Sequence, residues 1–223
     1  MPSDSWRFFD QTLLRDVNRL IEAHENSNPE GKGKRALGHF TRSAVLLLSS
    51  AWEVYVEGLV VEAVTKILTS HNPESLPDAL IVKFCEAVKA DKHERKHFKI
   101  VGDGWRGYYI NACKAACDKF NTAKSTQVGD LMEAWVCADR AKLFDSWRRK
   151  PCELDEFMTR RGDIAHRGSA SNYVQETDLR SYVKMITDFA ADTDNYMQGH
   201  VRGLLFNPRK VWRKLVSSPI AKL

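Results

Sequence analysis

Apolar residues recur every three or four positions along most of the chain, which is the spacing of one face of an α-helix. The first such stretch, residues 5–25, predicts a helix that Ser3 or Asp4 would cap. The second, residues 35–70, carries an apolar stripe so broad that it is typical of a central helix in a bundle. Residues 26–34 between them contain asparagine, serine, proline and glycine, which predicts a loop.

The rest of the chain keeps the helical spacing, interrupted by short polar or proline-containing segments. We expect helices at residues 78–92, 108–120, 131–136, 138–147, 151–168 and 177–198. The predicted fold class is therefore all-α. We expect an elongated helical bundle with a long central helix, against which the helix that begins after Pro151 packs.

The composition is that of a folded chain with a basic C-terminus. Of 223 residues, 43% are hydrophobic and 10% are aromatic, which supports a real core and argues against disorder. The net charge is +5, but residues 201–223 carry six basic residues and no acid, so residues 1–200 together carry −1. We therefore divide the chain into a helical domain, residues 1–200, and a basic tail, residues 201–223.

Several features bear on compartment and cofactors. Five cysteines, an odd number, with no secretory signal before them favour reduced thiols and a cytoplasmic location. The longest apolar run, residues 44–48, is too short to span a bilayer, so we expect no membrane association.

Residues 93–97 satisfy the zinc motif His-Glu-x-x-His, but lysines flank them and no third ligand follows. Residues 102–107 satisfy Gly-x-Gly-x-x-Gly outside any βαβ unit. We expect neither a metal nor a cofactor.

Reactive side chains are most crowded in residues 160–168, Arg-Arg-Gly-Asp-Ile-Ala-His-Arg-Gly, at the end of the helix that follows Pro151. Arginine offers a fixed charge and a fork of donors for phosphate, and histidine can transfer a proton near neutral pH. On a regular helix Arg161 and His166 project about 140° apart. They converge only if the helix ends near Gly168, if the arginine folds back, or if a second chain completes the site. The simpler interpretation is a charged helix end stabilised by the helix dipole.

Two segments resemble the HEPN superfamily. Residues 161–166, Arg-Gly-Asp-Ile-Ala-His, are similar to its Arg-x4-6-His signature, and residues 154–160, Leu-Asp-Glu-Phe-Met-Thr-Arg, resemble the lead-in to it. Residues 43–61, Ser-Ala-Val-Leu-Leu-Leu-Ser-Ser-Ala-Trp-Glu-Val-Tyr-Val-Glu-Gly-Leu-Val-Val, resemble the long helix with an embedded glutamate in the RiboL-PSP-type HEPN branch. The chain departs from the family at Gly162, where asparagine is common, and at Arg167, which separates the histidine from the following glycine.

The resemblance implies a HEPN-like bundle and a metal-independent endoribonuclease. In such an enzyme His166 would act as base on the ribose 2′-hydroxyl or as acid on the leaving oxygen, and Arg161 would stabilise the phosphate. The resemblance also implies RNA as substrate, a homodimer with facing motifs, a role in bacterial defence or a toxin–antitoxin system, and a cognate antitoxin or defence partner. The alternative is a catalytically inactive HEPN module that binds nucleic acid or a partner protein, which Gly162 favours because glycine loosens the backbone.

One further acidic residue and several basic ones complete the candidate site. Glu53 is either a solvated carboxylate at the edge of the central helix or the partner of Arg161 or His166. The candidate catalytic residues are Arg161, His166, Asp163 and Glu53. Basic side chains around the motif and in the tail are the candidate RNA-binding residues. These are Arg160, Arg167, Arg148, Arg149, Lys150, Arg209, Lys210, Arg213 and Lys214.

Overall fold

The computed structural model describes residues 1–28, 37–171, 173–207, 209 and 211–215, and this part of the chain contains helices and no strand. Phe9–Leu13 is a π-helical segment, and Pro73–Ser75 and Gly168–Ala170 are 3-10 turns. The α-helices are α1 (Asp4–Phe8), α2 (Leu14–Asn26), α3 (Gly38–Ser70), α4 (Asp78–Ala90), α5 (Lys96–Ile100), α6 (Gly104–Cys117), α7 (Ser125–Val136), α8 (Arg140–Ser146), α9 (Pro151–Arg167) and α10 (Glu176–Leu204). The prediction of an all-α bundle with a long central helix is confirmed. Arg35, where that helix was expected to begin, lies outside the described residues.

Helix α3 is the centre of the bundle and contacts α1, α2, α6, α7, α9 and α10. Its large side chains are buried on several sides, which explains the breadth of its apolar stripe. The Trp52 indole N–H donates to the Ala123 carbonyl at 2.9 Å, and the Tyr55 hydroxyl donates to the Ala190 carbonyl at 2.8 Å. By length and composition α3 could also cross a membrane, but a core helix of a helical bundle meets the same criteria.

A buried polar cluster fixes α1 to α3 and α10. The Ser3 hydroxyl caps α1 by accepting the Trp6 backbone N–H at 2.9 Å, and it donates to the carboxyl of Asp194. Glu62 of α3 accepts the backbone N–H groups of Asp4 and Ser5, at 3.2 and 3.0 Å. Asp194 is fully buried, and its Oδ2 has no hydrogen-bond partner among the described residues. Burial, reinforced by the charge of Glu62, outweighs the hydrogen bond from Ser3 and raises the pKa of Asp194 to about 7.

The residues after α10 pack back onto the bundle. Because α10 continues to Leu204, the expected boundary between residues 200 and 201 falls inside this helix. Trp212 is only 7% exposed, and its carbonyl accepts a hydrogen bond from the Gln198 amide at 3.0 Å. The described part of the basic tail therefore contributes to the core and does not extend from it.

The start of α7 differs from the expected position for a clear reason. Helix α7 begins at Ser125, six residues before the expected start, because the backbone N–H and hydroxyl of Ser125 donate to the Asp155 carboxylate of α9 at 2.7 and 2.9 Å. That cap comes from thirty residues away in sequence.

The run from His93 to His97 spans a turn and the beginning of α5, so its two histidines do not lie one turn apart on a single helix.

Candidate functional site

Helix α9 carries the arginine–histidine motif and is defined at both ends by its sequence. Pro151 occupies its first turn, where the missing N–H costs nothing, and the Lys150 backbone N–H donates to the Glu153 carboxylate at 3.0 Å. The helix ends at Arg167, and Gly168 follows with φ = 52°, a left-handed conformation that glycine adopts without strain. The expected start after Pro151 and stop at Gly168 are both confirmed.

Arg161 points from α9 towards the central helix. Its Nε donates to the hydroxyl of Ser49 at 3.2 Å, and its Nη2 lies 3.9 Å from Oε2 of Glu53. The Ser49 hydroxyl donates in turn to the Leu46 carbonyl at 2.8 Å, which fixes its orientation as an acceptor for the arginine. Two residues one helical turn apart on α3 therefore hold the guanidinium group from one side.

Glu53 is not a freely solvated carboxylate, because its side chain is only 14% exposed. Its Oε1 is buried without a hydrogen-bond partner among the described residues. Burial raises the pKa of Glu53, while the charge of Arg161 and the backbone of Ala123 act in the opposite direction. The structure thus brings Glu53 and Arg161 together, at ion-pair distance and beyond the range of a direct hydrogen bond.

His166 lies on a different side of α9. Because the helix stays regular through Arg167, the histidine projects about 140° from Arg161. Its side chain is exposed and makes no hydrogen bond or ion pair within the described part of the chain. The helix end does not draw the two residues onto one face, so a single chain presents a held arginine and a free histidine in different directions.

Asp163 is also separated from the arginine. It lies about 200° from Arg161 around α9, beside a shallow hollow of about 380 Å³ that Cys152 and Thr159 also line. The structure therefore groups two of the four candidate catalytic residues, Arg161 and Glu53. It does not bring His166 or Asp163 to them within one chain.

The basic residues before α9 are paired with acids of α9 and α10. Arg148 forms an ion pair with Asp192 at 2.9 Å, and Arg149 contacts Asp188 at 3.0 Å and Glu153 at 3.1 Å. These carboxylates neutralise the charges of two candidate RNA-binding arginines. A phosphate would have to displace the carboxylates before it could bind either arginine. Lys150 beside them is exposed.

The remaining candidate RNA-binding residues are more scattered. The guanidinium of Arg160 donates to the Tyr173 carbonyl at 3.2 Å and is half-buried, whereas Arg167 at the end of α9 is exposed. In the tail, exposed basic side chains line the path of the chain back along α10. These are Arg209, Arg213 and Lys214. Lys210 lies outside the described residues.

The long central helix, the shorter helix packed on it and the arginine held between them define a protein of the helical-bundle class. The chain belongs to the RiboL-PSP-HEPN family, whose model matches residues 12–199. No curated protein and no solved structure gives a significant match. Membership supports a nucleic-acid-related function. Within the described residues, no three histidine, cysteine, aspartate or glutamate side chains are grouped so as to hold a metal ion.

Sequence reasoning missed Ser49 as part of the site. It precedes Glu53 by four residues, so both project from the same face of α3, and this spacing was visible in the sequence. What the spacing could not reveal is that this face meets α9 at Arg161 and not at another residue of the motif.

Proposed function

We propose that the protein is a metal-independent endoribonuclease of the HEPN type. The observation that carries this proposal is the contrast between the two motif residues: Arg161 is held by Ser49 and Glu53, while His166 is open to solvent near the end of the same helix. An arginine held in one orientation can bind a phosphate in a fixed position, and a solvent-exposed histidine can exchange protons with the substrate.

In the proposed reaction RNA supplies its own nucleophile. A histidine removes the proton of the ribose 2′-hydroxyl, and the oxygen attacks the adjacent phosphorus while the bond from phosphorus to the 5′-oxygen breaks. A water molecule protonates that leaving oxygen and regains a proton from the imidazolium, which gives a 2′,3′-cyclic phosphate and a 5′-hydroxyl end. Arg161 stabilises the charge that grows on the non-bridging phosphate oxygens, and Glu53 limits the motion of the guanidinium.

The active unit in this proposal is a homodimer in which two motifs face each other. One chain separates Arg161 and His166 by about 140°, so a second chain is needed to offer a histidine to a phosphate bound at the arginine. Support comes from an exposed apolar stripe on α3, near Glu53 in sequence. In this stripe Leu47 is 43% exposed and Val54 is 41% exposed. Covering this stripe with its copy would bury both apolar side chains.

The cellular setting remains part of the proposal and rests on the family resemblance. It comprises a cytoplasmic location, a role in bacterial defence or a toxin–antitoxin system, and a cognate neutralising or defence partner. Expression of the wild type beside His166→Ala in a bacterial host would test the toxic role, because only the wild type should arrest growth.

A second candidate function is a catalytically silent HEPN module that binds nucleic acid or a partner protein. The carboxylate of Glu53 beside Arg161 favours it, since it offsets the positive charge that a phosphate would need. Gly162 bears on the same question: a Cβ atom built there meets nothing within 4 Å, so packing does not require glycine. The family-typical variant Gly162→Asn should therefore fold, and a gain of cleavage in that variant alone would identify the natural protein as the silent form.

The decisive experiment is RNA cleavage in the presence of a chelator by wild type, Arg161→Ala and His166→Ala, with His97→Ala as an exposed-histidine control. Each motif variant should lose cleavage and the control should keep it. When the two inactive variants are mixed and exchange subunits, half of the dimers are mixed and each has one intact site, so about a quarter of the wild-type activity should return. Cleavage by a protein that light scattering shows to be monomeric, or a mixture that stays inactive while exchanging subunits, contradicts the composite site. Unaltered cleavage by both motif variants contradicts the proposed function.

A further inference from the structure

Helices α4 and α6 enclose an open groove of about 950 Å³ that the motif does not use. Its floor is built from small side chains. These are Ala87, Ala90, Ala112, Ala115 and Ala116. Helix α4 is rich in apolar residues, yet only Leu80 of its thirteen residues is fully buried. Ile81 and Phe84 pack partly against the core, whereas Ala87 and Ala90 line the groove and are left only partly covered by the rest of the described chain.

The rim of the groove is basic. Lys83, Lys99 and Lys119 line it together with two acids, Glu86 and Asp91. Asp91 is engaged within the protein, because its carboxylate accepts the His93 backbone N–H at 2.8 Å and the Tyr108 hydroxyl at 2.9 Å. Glu86 pairs with Lys83 at 3.3 Å.

The other two lysines of the rim, Lys99 and Lys119, are exposed and make no ion pair with the described residues. Phe98, next to Lys99, is 82% exposed. The charges on the rim that have no ion-pair partner among the described residues are therefore positive, and one of them lies next to an exposed apolar side chain.

We propose that this groove binds an acidic amphipathic helix of a partner protein. The alanines on its floor, from both α4 and α6, allow the backbone of a third helix to approach closely, at the usual spacing of packed helices. Helices α4 and α6 contain 13 and 14 residues. Each is therefore roughly 20 Å long, enough to contact four turns of a partner. Acidic residues flanking the apolar face of that helix would meet Lys99 and Lys119.

RNA suits this groove less well than a peptide helix. Bases bind to open aromatic faces, but both aromatic residues that line the groove are engaged: Lys83 covers Trp135, with its ammonium 5.4 Å from the ring centroid, and the Tyr108 hydroxyl donates to Asp91 at 2.9 Å. The groove proposal does not depend on ribonuclease activity, so either can fail without the other.

The test uses two fluorescently labelled helical peptides of about 18 residues with the same leucine–alanine face. One carries glutamates beside that face and the other carries lysines at the same positions. Fluorescence anisotropy with the full chain should show the acidic peptide binding at least about tenfold more tightly than the basic one at low salt. The double variant Lys99→Glu with Lys119→Glu should reverse this preference. The matched double variant Arg15→Glu with Arg202→Glu, at exposed positions on α2 and α10, should preserve it.

A second pair of variants tests the shape of the groove. Ala115→Gln places a longer neutral side chain on its floor and should weaken the acidic peptide about tenfold or more. Ala141→Gln, at an exposed position of α8, should have no effect. Equal affinity for both peptides, no binding of either, or binding unchanged by Ala115→Gln would overturn the proposal. So would a labelled single-stranded RNA that displaces the acidic peptide and depends on the same two lysines, since the groove would then be a nucleic-acid channel.

Discussion

The buried carboxyl of Asp194 allows a quantitative prediction about stability. Its pKa lies near 7 in the folded protein and near 3.8 in the unfolded chain, a difference of about three pKa units. Between these two values the folded protein holds a proton that the unfolded chain has released, so the free energy of unfolding falls as pH rises. Each pKa unit corresponds to about 1.4 kcal/mol, which gives a loss of about 4 kcal/mol between pH 4 and pH 7.5.

The variant Asp194→Asn removes this ionisation and keeps an oxygen that can accept the hydrogen bond from Ser3. Near pH 4 both proteins are neutral at this position and should have similar stability. At pH 8 the wild type carries a buried charge whose Oδ2 has no hydrogen-bond partner among the described residues, and the variant should then be more stable by about 4 kcal/mol. The other titrating groups are common to both proteins, so their contributions largely cancel in the difference.

The measurement is urea unfolding followed by circular dichroism at intervals from pH 4 to pH 8.5. Asp145→Asn is the matched control, because Asp145 is exposed, and its effect should stay within about 0.5 kcal/mol at every pH. A difference between wild type and Asp194→Asn that does not change with pH would refute the reasoning. It would show that water or a rearranged donor stabilises the ionised carboxylate.

Four further predictions concern the site, the tail and the start of α7. Glu53→Gln should lower the rate of RNA cleavage at a temperature where melting curves show the variant to be folded, because the carboxylate restrains the motif arginine. If the loss of cleavage only follows the loss of folded protein, the role of Glu53 is purely structural. Trp212→Ala should lower the free energy of unfolding by about 3 kcal/mol, since the indole is almost fully buried, and a change under 1 kcal/mol on denaturation would contradict its packing. For this reason the RNA-binding role of the tail is better tested by Arg213→Ala than by truncation: this variant should reduce the slope of log affinity against log salt by about 1, and an unchanged slope would exclude that contact. Asp155→Ala should destabilise the protein by about 1–2 kcal/mol through loss of the cap on α7, as measured by urea unfolding, whereas a neutral result would show that the cap is replaced by solvent.

The sequence by itself determined the all-α class, the central role of α3 and the ends of α9. Local chemistry decides these features: the period of the apolar positions, the proline at the start of α9 and Gly168 at its end. The spacing of Arg161 and His166 also determined that one regular helix keeps them on different faces, and the structure retains that separation.

Only the tertiary structure decided which residues meet. Glu53 could have faced water or the motif, and the crossing of α3 and α9 places it at Arg161. Arg148 offered a free charge in the sequence but is paired with Asp192 of α10, and the cap that starts α7 comes from Asp155. These contacts join residues far apart in the chain, and their geometry depends on how helices pack, which the spacing within any single helix does not specify.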